Sequence, residues 1–129
     1  MNARRTVLLS IALSVSLLLP AYGASFMSKL DPDKDGTVDL AEAKAAASKT
    51  FDRLERDKDG TLDAKELRRR IGKEELAAAD PDKDGTLDKA EYMRIVEARF
   101  RAANPDFDMT LDAKELATPA GKALLKLLV

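Results

Sequence analysis

The chain has 129 residues, 22 of them basic and 23 acidic, and it contains neither cysteine nor histidine. Those absences exclude disulfides, thiolate and imidazole metal ligands, and every catalytic arrangement of a nucleophile with histidine. The metal chemistry left is that of hard cations held by oxygen.

In chain order, the first expected element is a secretory signal over residues 1–23. Arg4 and Arg5 precede an apolar run from Val7 to Leu19, and small residues around Ala21 and Gly23 follow. The run is short for a membrane span, which takes about 20 apolar residues. No cysteine follows it, so no lipid anchor is expected. Export to the periplasm, or out of the cell, would leave a single domain over residues 24–129.

Aligned on their aspartates, four twelve-residue windows then follow one another. They are DPDKDGTVDLAE at 31–42, ERDKDGTLDAKE at 55–66, DPDKDGTLDKAE at 80–91 and NPDFDMTLDAKE at 104–115. The only acids outside them are Asp52, Glu74, Glu75 and Glu97, so the acids are gathered rather than spread over a solvated surface. A tight loop can turn side chains 1, 3 and 5 inward and bend at a glycine in position 6. The carbonyl of 7 adds an oxygen, 9 acts directly or through water, and a glutamate at 12 closes the shell with both oxygens. This is the spacing of an EF-hand loop. The expected metal ligands in loop one are Asp31, Asp33, Asp35, Thr37, Asp39 and Glu42. In loop two they are Glu55, Asp57, Asp59, Thr61, Asp63 and Glu66. In loop three they are Asp80, Asp82, Asp84, Thr86, Asp88 and Glu91. In loop four they are Asn104, Asp106, Asp108, Thr110, Asp112 and Glu115.

The loops are unequal. Loops one and three fit the pattern fully. Loop two opens on Glu55, one methylene longer than aspartate, followed by Arg56. Loop four opens on Asn104 and has Met109 where the bend needs glycine; a left-handed non-glycine residue there costs about 1–2 kcal/mol. Loops one and three are expected to bind best and loop two less well. Loop four is expected to bind weakly or to remain a structural loop. Proline follows the first ligand at Pro32, Pro81 and Pro105. It holds that ligand residue extended and reduces the entropy lost on ordering, by about 0.4–1 kcal/mol.

Position 8 is apolar in every window (Val38, Leu62, Leu87, Leu111), as expected if loops pair back to back through short strand bridges. The linkers are short, so one helix is expected to leave one loop and enter the next. Residues 40–54 place Leu40, Ala43, Ala47, Phe51 and Leu54 on one stripe. Tyr92, Ile95 or Val96, Phe100 and Ala103 repeat the pattern between loops three and four. The middle connector, ELRRRIGKEELAAA, predicts two short helices bent near Gly72, with Glu75 as a weak cap. Thr118 and Pro119 predict an N-cap and first turn, opening a last helix to about Leu128. The expected fold is all-α: four EF-hand loops on a compact helical bundle with short shared helices and small strand bridges.

These features together resemble the lanmodulins, periplasmic lanthanide-binding EF-hand proteins of methylotrophic bacteria. The resemblance rests on proline at position 2, aspartate at position 9 of every loop, the short separations, and the runs FDRLERDKDGTLDAKEL, ARFRAANPD and ATPAGKALL. It implies a three-helix bundle with loop one paired to loop four and loop two to loop three. It also implies selective capture and trafficking of lanthanide(III) ions in the periplasm, serving lanthanide-dependent alcohol oxidation, with components of that uptake or alcohol-dehydrogenase system as partners.

Two other readings of the loops stay open: a periplasmic calcium (Ca2+) buffer or sensor, and an interaction module with structural metals. No enzyme is expected, because nearly every carboxylate is committed to a loop. Few aromatics accompany the basic residues, so no nucleic-acid partner is expected. After signal removal no membrane partner is expected either. A monomer or a metal-dependent dimer fits the sequence. Crowded carboxylates and an alanine-rich core predict a loose metal-free chain that compacts on binding.

Overall fold

The computed structural model describes residues 25–129. The expected signal at 1–23 lies outside the described residues. A helix at residues 25–30 (α1) leads into loop one. Strand β1 (Val38–Asp39) and helix α2 (Leu40–Leu54) follow, then β2 (Thr61–Leu62) and α3 (Lys73–Ala79). Strand β3 (Leu87–Asp88), α4 (Lys89–Ala103), β4 (Thr110–Leu111), α5 (Ala113–Leu116) and α6 (Pro119–Leu128) complete the chain.

Helices α2, α4 and α6 pack on one another as a three-helix core. The alanine stripe of α2 lets its neighbours approach closely. Ala43, Ala47 and Phe51 are buried, joined by Thr50, while Leu40 and Leu54 lie at the margin. On α4, Tyr92, Ile95, Val96, Phe100 and Ala103 are all buried. Tyr92 meets Phe51 edge to face, with ring centroids 5.6 Å apart, and its hydroxyl donates to the Leu127 carbonyl at 2.7 Å. Burial pushes the Tyr92 phenol up to about 12. Helix α6 starts as its sequence predicts: Thr118 Oγ1 accepts from Gly121 N at 3.1 Å, and Pro119 occupies the first turn.

Two antiparallel bridges join the loops. Val38 pairs with Leu111 and Asp39 with Thr110, tying loop one to loop four. Leu62 pairs with Leu87 and Thr61 with Asp88, tying loop two to loop three. All four position-8 residues are fully buried beneath the bridges.

The middle connector departs from expectation. Residues 64–70 form successive turns, not a first short helix. Arg69 takes a left-handed conformation (φ 67°), which stops the helical hydrogen-bond ladder before it extends. Gly72 does stand at the N-cap of α3, but without a side-chain cap. Glu75 is drawn away to Arg99, whose guanidinium donates to it at 2.6 and 3.2 Å. The same guanidinium donates to the carbonyls of Arg70 (2.9 Å) and Ala123 (2.7 Å), tying connector, α4 and α6 together. Arg70 donates to the carbonyls of Lys126 and Val129 at the end of α6.

Candidate metal centres

Each loop builds the same frame from backbone donors. The position-6 N–H points at the position-1 side chain: Gly36 N donates to Asp31 Oδ2 at 2.9 Å, and Gly85 N to Asp80 Oδ2 at 2.8 Å. In loop two Gly60 N donates to Glu55 Oε1. In loop four the Asn104 amide is best oriented with its oxygen accepting from Met109 N at 3.2 Å. Its nitrogen then donates to Asp106 Oδ1 (2.7 Å) and Asp108 Oδ1 (3.1 Å). The Asn104 amide thus places two N–H donors where the other loops present only carboxylate oxygen.

Positive φ falls at positions 4 and 6 of every loop. The glycines at 6 adopt it freely, with Gly36 at φ 85°. Met109 is forced into it at φ 69°, as its place in the repeat predicts. Position 4 is a strain the sequence reading did not foresee: Lys34, Lys58, Lys83 and Phe107 all lie between φ 55° and 58°.

Threonine at position 7 has a role the sequence reading missed. Thr37 N and Oγ1 both donate to Asp35 Oδ1, at 2.9 and 3.0 Å. Thr61 holds Asp59 and Thr86 holds Asp84 in the same way, while Thr110 holds Asp108 through its N–H alone. These donors hold the Asp59 carboxyl below its ordinary range. Position 9 was also under-read. Asp39, Asp88 and Asp112 are the N-caps of α2, α4 and α5, each accepting from the position-12 N–H while the glutamate returns the bond. Asp63 and Glu66 exchange the same pair of bonds ahead of the turns. The signal was visible as D-x-x-E at the end of each window. In loops one and four it ties one oxygen of the closing glutamate to the frame and leaves the other without a partner.

Carboxylate oxygens converge within 4.8 Å of one another in every loop. In loop one they belong to Asp31, Asp33, Asp35 and Glu42; in loop three to Asp80, Asp82 and Glu91; in loop four to Asp106, Asp108 and Glu115. Loop two divides into Glu55–Asp57–Asp59 and Asp57–Asp63–Glu66. Asp39, Asp84, Asp88 and Asp112 stand outside these groups. Among the described residues, Glu42 Oε2, Asp80 Oδ1 and Glu115 Oε2 are buried with no hydrogen-bond partner. Buried anionic oxygens without donors are costly, and a cation is a partner that suits them. The donor set is all oxygen, so a hard ion fits.

Crowding also shows in protonation. Asp33 is pushed from 3.8 up to about 6 by the Asp31 carboxyl beside it, and Asp82 to about 6 by Asp80. Asp31 and Asp80 are correspondingly held low, by those neighbours first and then by loop N–H donors. Burial raises Asp57 and Glu115. Neighbouring carboxyls cannot all ionise without a counter-charge. Because the pKa values of Asp33 and Asp82 are raised, protonation favours the metal-free fold at low pH, an advantage lost as pH rises through about 6. Metal affinity of loops one and three is therefore expected to be level above that pH. Below it, affinity should fall about tenfold per pH unit for each proton displaced. Competition titrations at pH 5, 6 and 7 check the slope, and metal-free helicity should rise on acidification over the same interval.

The family model for the EF hand matches residues 49–71 and 73–96, the paired loops two and three with their flanking segments. Over those two stretches the chain carries EF hands, and the acidic groups of its loops are ones that could hold a metal ion. It is also similar to lanmodulin of Methylorubrum extorquens, with 54% identity over 72 residues, covering 51% of this chain and 54% of that one. The chain thus spans about half the length of the curated relative it matches, and over that half it is lanmodulin-like. Among the described residues no helix is long and apolar enough to cross a membrane.

Proposed function

We propose that this protein binds trivalent lanthanide ions in the periplasm in preference to calcium, folds more tightly as it does so, and serves their uptake and trafficking. The observation that carries this reading is loop one, where Asp31, Asp33, Asp35 and Glu42 bring four carboxylates within 4.8 Å of one another. That charge exceeds a divalent ion's. Attraction scales with ion charge, while calcium and the lanthanides differ little in size and both seek oxygen. The lanmodulin likeness supports the periplasmic setting.

The test uses Tyr92, which directly follows the closing Glu91 and reaches into the core beneath loop three. The purified protein, in large excess calcium, is titrated with terbium while tyrosine is excited. Sensitised terbium emission and a gain of helix at stoichiometric terbium are expected. Folding by calcium alone at micromolar concentration, with equimolar terbium failing to displace it, would sink the proposal and leave a periplasmic calcium protein.

A further inference from the structure

The four loops differ in one backbone donor. In loop two, Arg56 N donates to Glu66 Oε2 at 2.9 Å. Glu66 Oε1 already accepts from Asp63 N at 3.0 Å, so both oxygens of this closing glutamate are engaged by the loop's own backbone. In loops one, three and four the equivalent residue is Pro32, Pro81 or Pro105, and proline has no N–H. The second oxygens of Glu42 and Glu115 are buried without a partner in their proline-bearing loops.

A second difference points the same way. Loops one, three and four close a turn at their start: Lys34 N donates to the Asp31 carbonyl (3.3 Å), Lys83 N to Asp80 (3.2 Å) and Phe107 N to Asn104 (3.4 Å). Among the described residues Lys58 makes no such bond to Glu55. The start of loop two is turned instead toward Glu66. Its carboxylates accordingly divide into two groups that share only Asp57, and Glu66 groups with Asp57 and Asp63 apart from Glu55.

We propose that the Arg56 N–H is a latch on Glu66 that must open before loop two can close on an ion, so that loop two fills after loops one and three. Proline at the same position removes the latch and leaves the closing glutamate free. The inference rests on the metal-binding reading of the loops and assigns the filling order within it. An N–H bond to a carboxylate competes directly with an ion for the same oxygen. It is a different effect from the stiffening that proline gives the loop.

The position-6 glycines Gly36, Gly60 and Gly85 report one loop each by amide NMR. The full chain is titrated with diamagnetic lanthanum, and separately with calcium, as wild type, Arg56→Pro and Arg56→Ala. Gly60 should shift last in the wild type. It should shift together with Gly36 and Gly85 in Arg56→Pro, with loop-two affinity raised about tenfold. Arg56→Ala, which keeps the N–H and loses the charge, should leave Gly60 last. Independently of any variant, the wild-type Arg56 amide should exchange slowly with two equivalents of lanthanum and faster after the third. An unprotected Arg56 amide at two equivalents overturns the latch, as does Arg56→Ala matching Arg56→Pro, or Gly60 filling with the others in the wild type. If calcium fills the loops as tightly as lanthanum, the selectivity proposal fails instead, and the latch is judged on calcium's filling order.

Discussion

Replacing Glu42 by glutamine is expected to weaken the loop-one site by at least about 100-fold while leaving the metal-free helix content equal or higher. Two opposite effects arise from one atom. Glu42 Oε1 accepts from Asp39 N at 3.0 Å and closes the capping box of α2. A glutamine keeps that acceptor, so the helix start is retained. Its amide nitrogen then replaces Oε2, the buried oxygen that lacks a partner. In the metal-free loop that nitrogen faces Asp31, Asp33 and Asp35 and can donate to them. Loop four already has this arrangement, with the Asn104 amide donating to Asp106 and Asp108. On binding, the substitution removes one negative charge and half of the closing ligand, and sets an N–H against the cation. Losing one partner of a buried charge pair costs about 3–5 kcal/mol, which is roughly two to nearly four powers of ten. Site-resolved titration gives the affinity, and far-ultraviolet circular dichroism gives the metal-free helicity. An affinity change below tenfold, or a collapse of metal-free helix, would contradict the account.

The second large effect is expected far from any ligand. Gly121 lies in the first turns of α6 against the end of α5. A Cβ there would stand 2.2 Å from the Glu115 carbonyl oxygen and 2.6 Å from Leu116 Cα and its carbonyl oxygen. Those are backbone atoms, which cannot turn aside as a side chain can. Gly121→Ala should therefore lower the stability of the metal-loaded fold by about 3 kcal/mol, the upper part of the range for overpacking. The loss arises because α6 must lift, and Leu124, Leu125, Leu127 and Leu128 are buried along it. A fold of marginal total stability feels that strongly. Denaturant unfolding under saturating metal measures it. Loop four should loosen with α6, since its closing residue Glu115 belongs to α5. An alanine variant as stable as wild type would mean that the contact relaxes at no cost.

Most of the loop geometry was readable from residue order, because an EF-hand loop is local. Twelve consecutive residues carry the ligands, the bend and the closing glutamate, so spacing alone located every carboxylate that converges. Helices α2 and α6 were legible for the same reason. The apolar stripe of α2 and the Thr118–Pro119 start of α6 lie within the segments themselves. The left-handed Met109 was foreseen from the repeat, since its three counterparts are glycine.

What was missed depends on groups brought together from a distance or on a bond in which a side chain has two possible partners. Glu75 has a capping pattern in sequence, yet Arg99, 24 residues away, takes it. The first half of the connector reads as helical, yet Arg70 and Arg99 anchor it as turns against α6. Position 9 reads as a ligand, and its second role as a helix cap went unread. The division of loop two followed from a backbone N–H, a group that composition never displays.

By itself, then, the order of residues determined that the acids gather in four loops of EF-hand spacing on shared helices. It did so because ligand spacing and helix periodicity are short-range properties. Only the tertiary structure decided which carboxylate oxygens remain without a donor, that Gly121 admits no side chain, and that Glu66 is held shut. Those outcomes depend on which buried polar groups meet once the helices pack, and a buried oxygen takes whichever partner the packing brings nearest.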